Sequence, residues 1–264
     1  MDGPDQPAGG RADGPRRTPA APRPAWYAAA PGSSGRWRDW LTILHPPYTA
    51  WHLSYVLIGA AMAPRFHLER LVATLVAFGL AVGIGAHGLD ELRGRPLHTS
   101  ISSGALATVS VLSISGAVVI GALGIEQVGW GLAVFIALGV VLVVAYNMEL
   151  GHGRLHNDTT FALAWGSFPL LTAYYAQVST LRPAALLGAA FAYGLSRAQR
   201  LLSTEARDIR RRVVTVDGER AYADGSRRRI TRGSLLEPLE RSLITLSWST
   251  CVLGVGLVIA RTGH

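Results

Sequence analysis

The chain has 264 residues, of which 49% are hydrophobic and only 16% charged. Its mean hydropathy of +0.27 comes from apolar residues gathered into runs, which excludes an ordinary water-soluble domain and points to helices that cross a bilayer. The formal charge of +8 would suit nucleic acid, but basic loops on the cytoplasmic side of a membrane protein account for it, so no nucleic-acid partner is expected.

Residues 1–36 are rich in Pro, Gly, Ala and Arg and lack large aliphatics. They read as a disordered basic tail without the apolar stretch of a signal peptide. Residues 37–264 read as a transmembrane helical domain. Trp37, Trp40 and Tyr48 flank His45-Pro46-Pro47, an interfacial approach to a first span. About seven runs are long and apolar enough to cross, near 48–64, 70–89, 103–123, 128–149, 160–177, 183–202 and 241–261. The expected fold is therefore all-α, a polytopic bundle of about seven transmembrane helices. The stretch 203–240 reads as an arginine-rich loop with room for a hairpin, since VVTVDGER and AYADGSRRR each carry an Asp-Gly turn signal.

Arginine placement sets the orientation. With the N-terminus inside, the loops 90–102, 150–159 and 203–240 are cytoplasmic and hold most of the loop arginine, as the positive-inside rule requires. The cell membrane, with the polar face toward the cytoplasm, is the expected location. All 25 basic residues are arginine, so an anion must be held by Arg, His or backbone N–H groups. The lone Cys251 lies in an apolar run, which leaves no disulfide framework.

Three spans deliver polar groups to that face. The second ends in HGLDELRGRPL, where His87, Asp90 and Glu91 at i, i+3, i+4 share one helical face. The fourth runs out through YNMELGHGRLHND, with Tyr146, Asn147, Glu149, His152, Arg154, His156 and Asp158. The sixth ends with Arg197, Arg200, Glu205 and Asp208. Each has a plainer reading: Asp90 and Glu91 could pair with Arg93 or Arg95, Asn157-Asp158 could cap the next helix, and Glu205-Asp208 could neutralise nearby arginine. Convergence of costly ionisable groups at membrane depth favours a site. Carboxylates suit Mg²⁺, which keeps waters and bridges to phosphates, and arginines clamp phosphate oxygens. Apolar helices behind such a head-group site would hold a lipid tail.

GAHGLDELRGRPL resembles the second-helix segment of the UbiA superfamily of intramembrane prenyltransferases, an Asn/Asp-rich motif followed by Arg-Pro-Leu or Arg-Pro-Ile. Arg95-Pro96-Leu97 reproduces the trailing triplet. The start ILHPPYTAWHLSYVLIGAAMAP is similar to the family's Arg-Pro approach to a Gly/Ala-rich first helix, and Tyr146 stands in a fourth-to-fifth connection like the family's Tyr-x-x-x-Lys-Arg, with Arg154 as its basic residue. The resemblance spans 45–208. It departs from the family in having two carboxylates where three are usual, a second acidic motif reduced to Glu205 and Asp208, and about seven helices instead of nine.

The resemblance implies a Mg²⁺-dependent enzyme acting on an isoprenoid diphosphate, by prenyl transfer or by cyclisation. Asp90, Glu91, Tyr146 and Asn147 would be catalytic. Arg95, Arg154, Arg197 and Arg200 would bind the diphosphate, and His87, Asp90, Glu91, Glu149, His156, Asp158, Glu205 and Asp208 would supply metal ligands. Two other readings stand beside it. One is a seven-span hydrolase holding zinc or iron through His87, Asp90, His152 and His156. The other is a catalytically inactive membrane protein whose loop 203–240 contacts anionic lipid or a partner.

Overall fold

The computed structural model describes residues 36–263; the tail expected at 1–36 lies, except for Arg36, outside the described residues. The chain is built almost wholly of helix. A short α1 (Arg36–Ile43) leads into α2 (Pro46–Met62), α3 (Leu68–Gly94), α4 (Ser103–Val128) and α5 (Gly131–Asn147). Then come α6, made of Asp158–Ala162, Leu163–Ser167 and Phe168–Val178, and α7 (Pro183–Arg211). A two-stranded hairpin, β1 (Glu219–Ala221) and β2 (Arg227–Arg229), precedes α8 (Arg232–Thr262). The helices from α2 to α8 coincide with the seven apolar runs. Three of them, α3, α4 and α8, are long and apolar enough to cross a membrane, and α5 is a shorter apolar helix.

The local chemistry explains the boundaries. Pro46 and Pro183 open α2 and α7 in the first turn, where the missing N–H costs nothing. Ser102, Asn157 and Thr231 cap α4, α6 and α8 through side-chain oxygens. Two helices widen to π geometry midway, α3 over Gly79–Ala86 and α6 over Leu163–Ser167. Such widening re-aims every side chain after it and often marks a functional region.

The largest core cluster joins α2, α6, α7 and α8 through Trp51, Tyr55, Ile58, Leu170, Ala192 and Leu243. Within it the Trp51 indole and the Ser196 hydroxyl both donate to the Tyr55 hydroxyl, at 2.8 and 3.1 Å. Gly59 lets α2 lie directly on the Leu170 carbonyl of α6, and Gly88 lets α3 lie on Ser110 of α4; a Cβ at either would overlap its neighbour. Facing outward, Leu112, Leu123, Leu187 and Val252 are each about two-thirds exposed or more, as lipid-facing residues are.

The expected loop 203–240 is helical at both ends. The apolar run ends near 202, but Ala206 and Ile209 stay buried one turn apart, so α7 continues to Arg211 and α8 begins at Arg232. The hairpin takes what remains. Its turn is Tyr222–Gly225, closed by Gly225 N–H to the Tyr222 carbonyl at 3.0 Å, so the second Asp-Gly makes the turn and the first leads into β1.

Candidate functional site

Because the helices alternate in direction, His45, the C-terminal ends of α3, α5 and α7, and the start of α6 share one end of the bundle. Five of the six described non-glycine residues in the left-handed region are here: His45, Arg95, His98, Glu149 and His152. Such strain collects where the surrounding structure fixes an unfavourable backbone for a purpose.

His87, Asp90 and Glu91 lie in one regular helical stretch, His87–Gly94, but they take different partners, since the adjacent Asp90 and Glu91 point about 100° apart. His87 faces His45, with ring centroids 4.6 Å apart, and its Nδ1 lies 3.2 Å from the Gly83 carbonyl. A carbonyl only accepts, so Nδ1 carries the proton. Glu91 is fully buried and turns the other way. Its carboxylate accepts from Leu97 N–H at 3.0 Å, and from Thr99 N–H and the Thr99 hydroxyl at 2.9 Å each. Both oxygens thus hold the loop after α3, which corrects the expectation of a catalytic and metal-binding Glu91. Arg95 serves the same loop, donating to the Ile101 carbonyl at 2.5 Å and Ser103 at 2.8 Å, so the Arg-Pro-Leu triplet is a folded corner and not an anion clamp.

Asp90 keeps the direction a site needs. It lies in the field of His156, Arg207 and Arg200, and among the described residues it makes no ion pair. His156 stacks on Tyr146 with centroids 4.5 Å apart. Its Nδ1 lies 3.2 Å from the Tyr146 carbonyl, leaving Nε2 as the ring's acceptor. The Tyr146 hydroxyl is buried without a hydrogen bond, and its ring meets Trp165 at 4.5 Å. Phe161 stacks parallel to Trp165 at 5.7 Å, and the Arg200 guanidinium lies over Phe161 at 5.2 Å. His52, buried in α2, places Nδ1 2.9 Å from the Trp165 carbonyl.

The basic side of the site comes from α7. Arg200 and Arg197 both bind Asp158, at 2.9 and 3.2 Å, and the Arg200 hydrogen bond holds the Asp158 carboxyl below its usual range. Asn157 does the capping, accepting from Thr160 N–H at 2.9 Å, which leaves Asp158 to the arginines. Arg207 and Arg211 follow Arg200 at i+7 and i+11, on one helical face. Burial, and then the charges of Arg200 and Arg211, pull Arg207 below the usual guanidinium range. His45 is pushed well down by burial first, then by His87, Arg211 and Arg207. Arg207, Arg211, His45 and His52 were not expected as site residues. The period of α7 beyond its apolar run was the available signal for the two arginines.

Other expected residues fall outside the cluster. Asn147 is buried and donates back to the Val143 carbonyl at 2.7 Å. Glu149 pairs with Arg93 at 3.2 Å, Asp208 pairs with Arg212 at 3.1 Å, and His152, Arg154 and Glu205 are exposed. Among the described residues no three His, Cys, Asp or Glu side chains gather as a metal group. Of the four donors of the hydrolase reading, His87 and His156 place Nδ1 against the Gly83 and Tyr146 carbonyls, and His152 is exposed.

Behind the cluster lies a cavity of about 330 Å³ between α3, α4, α5 and α6. Val82, Val143 and Trp165 line its near end, and the same three pack with Tyr146. Phe135 and Phe168 line its middle, and Arg70 stands at its far end. Aromatic side chains thus lie between the apolar space and the charged cluster. No family model matches the sequence, and neither the curated proteins nor the solved structures compared with it give a match.

Proposed function

We propose that the chain is an integral membrane enzyme acting on an isoprenoid diphosphate, by prenyl transfer or cyclisation, within a bundle of seven spans. The observation that carries the reading is an arginine row on α7, half-buried Arg200 and Arg207 followed by exposed Arg211, at the end of the bundle where Tyr146 packs with Val82, Val143 and Trp165 of an apolar cavity's lining. A phosphorylated head and a hydrocarbon tail need that division of polarity.

The chemistry follows from the side chains. The allylic C–O bond breaks heterolytically, and its electron pair leaves on the diphosphate, where the arginines balance the growing charge. The resulting cation lies against the faces of Tyr146, Trp165 and Phe161, which stabilise it and exclude water. His156 Nε2 is placed to take the proton lost on cyclisation or by an acceptor. Mg²⁺ binds through one or two carboxylates together with substrate phosphates; Asp90 is the carboxylate here that is not committed to an arginine or a loop, and the ion would supply further neutralisation of the leaving group.

The test is incubation of membranes holding the full chain with C10, C15 and C20 allylic diphosphates plus Mg²⁺, with and without EDTA. Diphosphate release that EDTA stops, and that Asp90→Asn abolishes without loss of the protein from membranes, is the expected result. Release from none of the three, or equal release by the Asp90→Asn protein, overturns the reading and leaves a binding role for the cluster.

A further inference from the structure

The hairpin between α7 and α8 contacts little else, and each residue from Glu219 to Arg229 is exposed. Its register pairs Glu219 with Arg229, Arg220 with Arg228 and Ala221 with Arg227. Cross-strand partners project to the same side and alternate residues to opposite sides. One side therefore carries Glu219, Arg227 and Arg229, and on it Arg227 meets Glu219 at 3.4 Å. The other carries Arg220 and Arg228 directly opposite each other, with Tyr222 two residues from Arg220. Among the described residues neither of these arginines makes an ion pair. Like charges placed opposite in a ladder destabilise it unless an external anion joins them.

Helix lengths place this face. With 29 residues in α7 and 31 in α8, the two helices are about 43 and 46 Å long, against about 40–45 Å for a bilayer with its head groups. If Arg182 and Thr262 lie at one surface, Arg211 and Arg232 reach the head groups of the other. The tether is firm, since Arg232 donates to the Ile209 and Arg210 carbonyls. A tyrosine beside two unpaired cations, held at that depth, has the composition of an interfacial anchor.

We infer that the Arg220–Tyr222–Arg228 face of the hairpin docks on anionic lipid head groups at the membrane surface next to the candidate site. The inference rests on the chain being a membrane protein and is independent of the reaction proposed above. The arginines neutralise lipid phosphates, and the Tyr222 ring sits among the glycerol groups. Glu219 makes the other face the poorer of the two for an anionic surface.

The experiment uses the full chain with Cys251→Ser and a spin label at Ala223→Cys, at the hairpin turn. The protein is placed in nanodiscs of phosphatidylcholine alone or mixed with phosphatidylglycerol. Phosphatidylglycerol is expected to raise collisions of the label with a lipid-soluble relaxant and lower those with a water-soluble one. About 0.5 M NaCl should reverse the change, because the Debye length falls to a few ångströms. Arg220→Gln and Arg228→Gln should each lower the docked-to-undocked ratio about fivefold, while the double change Arg227→Gln/Arg229→Gln lowers it less. Hydrogen exchange of the Tyr222 and Ile230 amides, both bonded across the hairpin, checks that the variants keep the fold. Equal accessibility in both lipids, insensitivity to salt, or an equal loss from either face would overturn the inference.

Discussion

Arginine is spread out at one end of the bundle and crowded at the other. At the end bearing Arg70, that side chain donates to the carbonyls of Ala176, Gln177 and Gln127 at 3.2, 3.1 and 3.0 Å. Arg261 does the same for Ala63 and Pro64, at 3.0 and 3.1 Å. Gln177 closes the corner, accepting from His67 N–H at 2.6 Å and donating to the His67 carbonyl at 3.2 Å. Both of these cations staple loops through neutral acceptors. At the other end Arg95, Arg211 and Arg232 also donate to backbone carbonyls, but Arg200, Arg207 and Arg211 lie in one another's fields, with Asp158 and Asp90 near them. Crowding like charges costs energy, and an arriving anion recovers it. The contrast separates arginine surrounded by neutral acceptors from arginine crowded against its own kind.

The strongest way to break this comparison is to remove one arginine from each end. Arg207→Gln should lower kcat/KM for the active allylic diphosphate about 100-fold, the usual loss for a donor that meets transition-state charge, and leave the melting temperature in detergent unchanged or higher. Arg70→Gln should do the reverse, with a lower melting temperature and unchanged turnover per folded molecule. If the two variants lose activity in proportion to lost stability, the contrast fails.

Glu91 tests the same division at the end that gathers the charges. Glu91→Ala leaves the Leu97 and Thr99 amides without their buried acceptor and should cost about 3 kcal/mol in denaturant unfolding, while Glu91→Gln, which keeps one acceptor oxygen, should cost less than half of that. A metal ligand behaves differently: its Gln variant would unfold normally and lose turnover. Stable, inactive Glu91→Gln protein would return this residue to the reaction.

The smallest effect is on pH dependence. His45 has a folded-state pKa well below its unfolded value, so below the ordinary imidazole range, near pH 6.5, the unfolded chain binds the extra proton. The linked stability is fully present above that pH and is lost progressively as pH falls toward the depressed folded value. Unfolding midpoints should therefore drop between pH 7 and pH 5, and His45→Gln should flatten that slope. An unchanged slope in the variant would assign the dependence to other groups.

Much of the fold was legible because its signals are local. Apolar runs long enough to cross a bilayer are continuous in sequence, and the helices from α2 to α8 lie on the runs that were read. Caps such as Ser102, and the Asp224-Gly225 turn, are equally local. The site was legible in part: Asp90, Tyr146, His156, Arg197 and Arg200 do gather at one end, since alternating helix direction brings the C-terminal ends of α3, α5 and α7 together. Periodicity assigned Glu91 to the face of Asp90, but adjacent helical residues point about 100° apart, and the Leu97 and Thr99 amides draw Glu91 into its own loop.

Run length and residue order, being one-dimensional, thus located the helices from α2 to α8 and the end where ionisable groups collect. Only the tertiary structure decided which of those groups face the site and which hold the backbone. HGLDELRGRPL contains both kinds, with Asp90 turned toward Arg200 and Arg207 and Glu91 turned into its own loop. The choice depends on where neighbouring amides and guanidinium groups lie across the helix, and residue spacing along the chain carries no record of that.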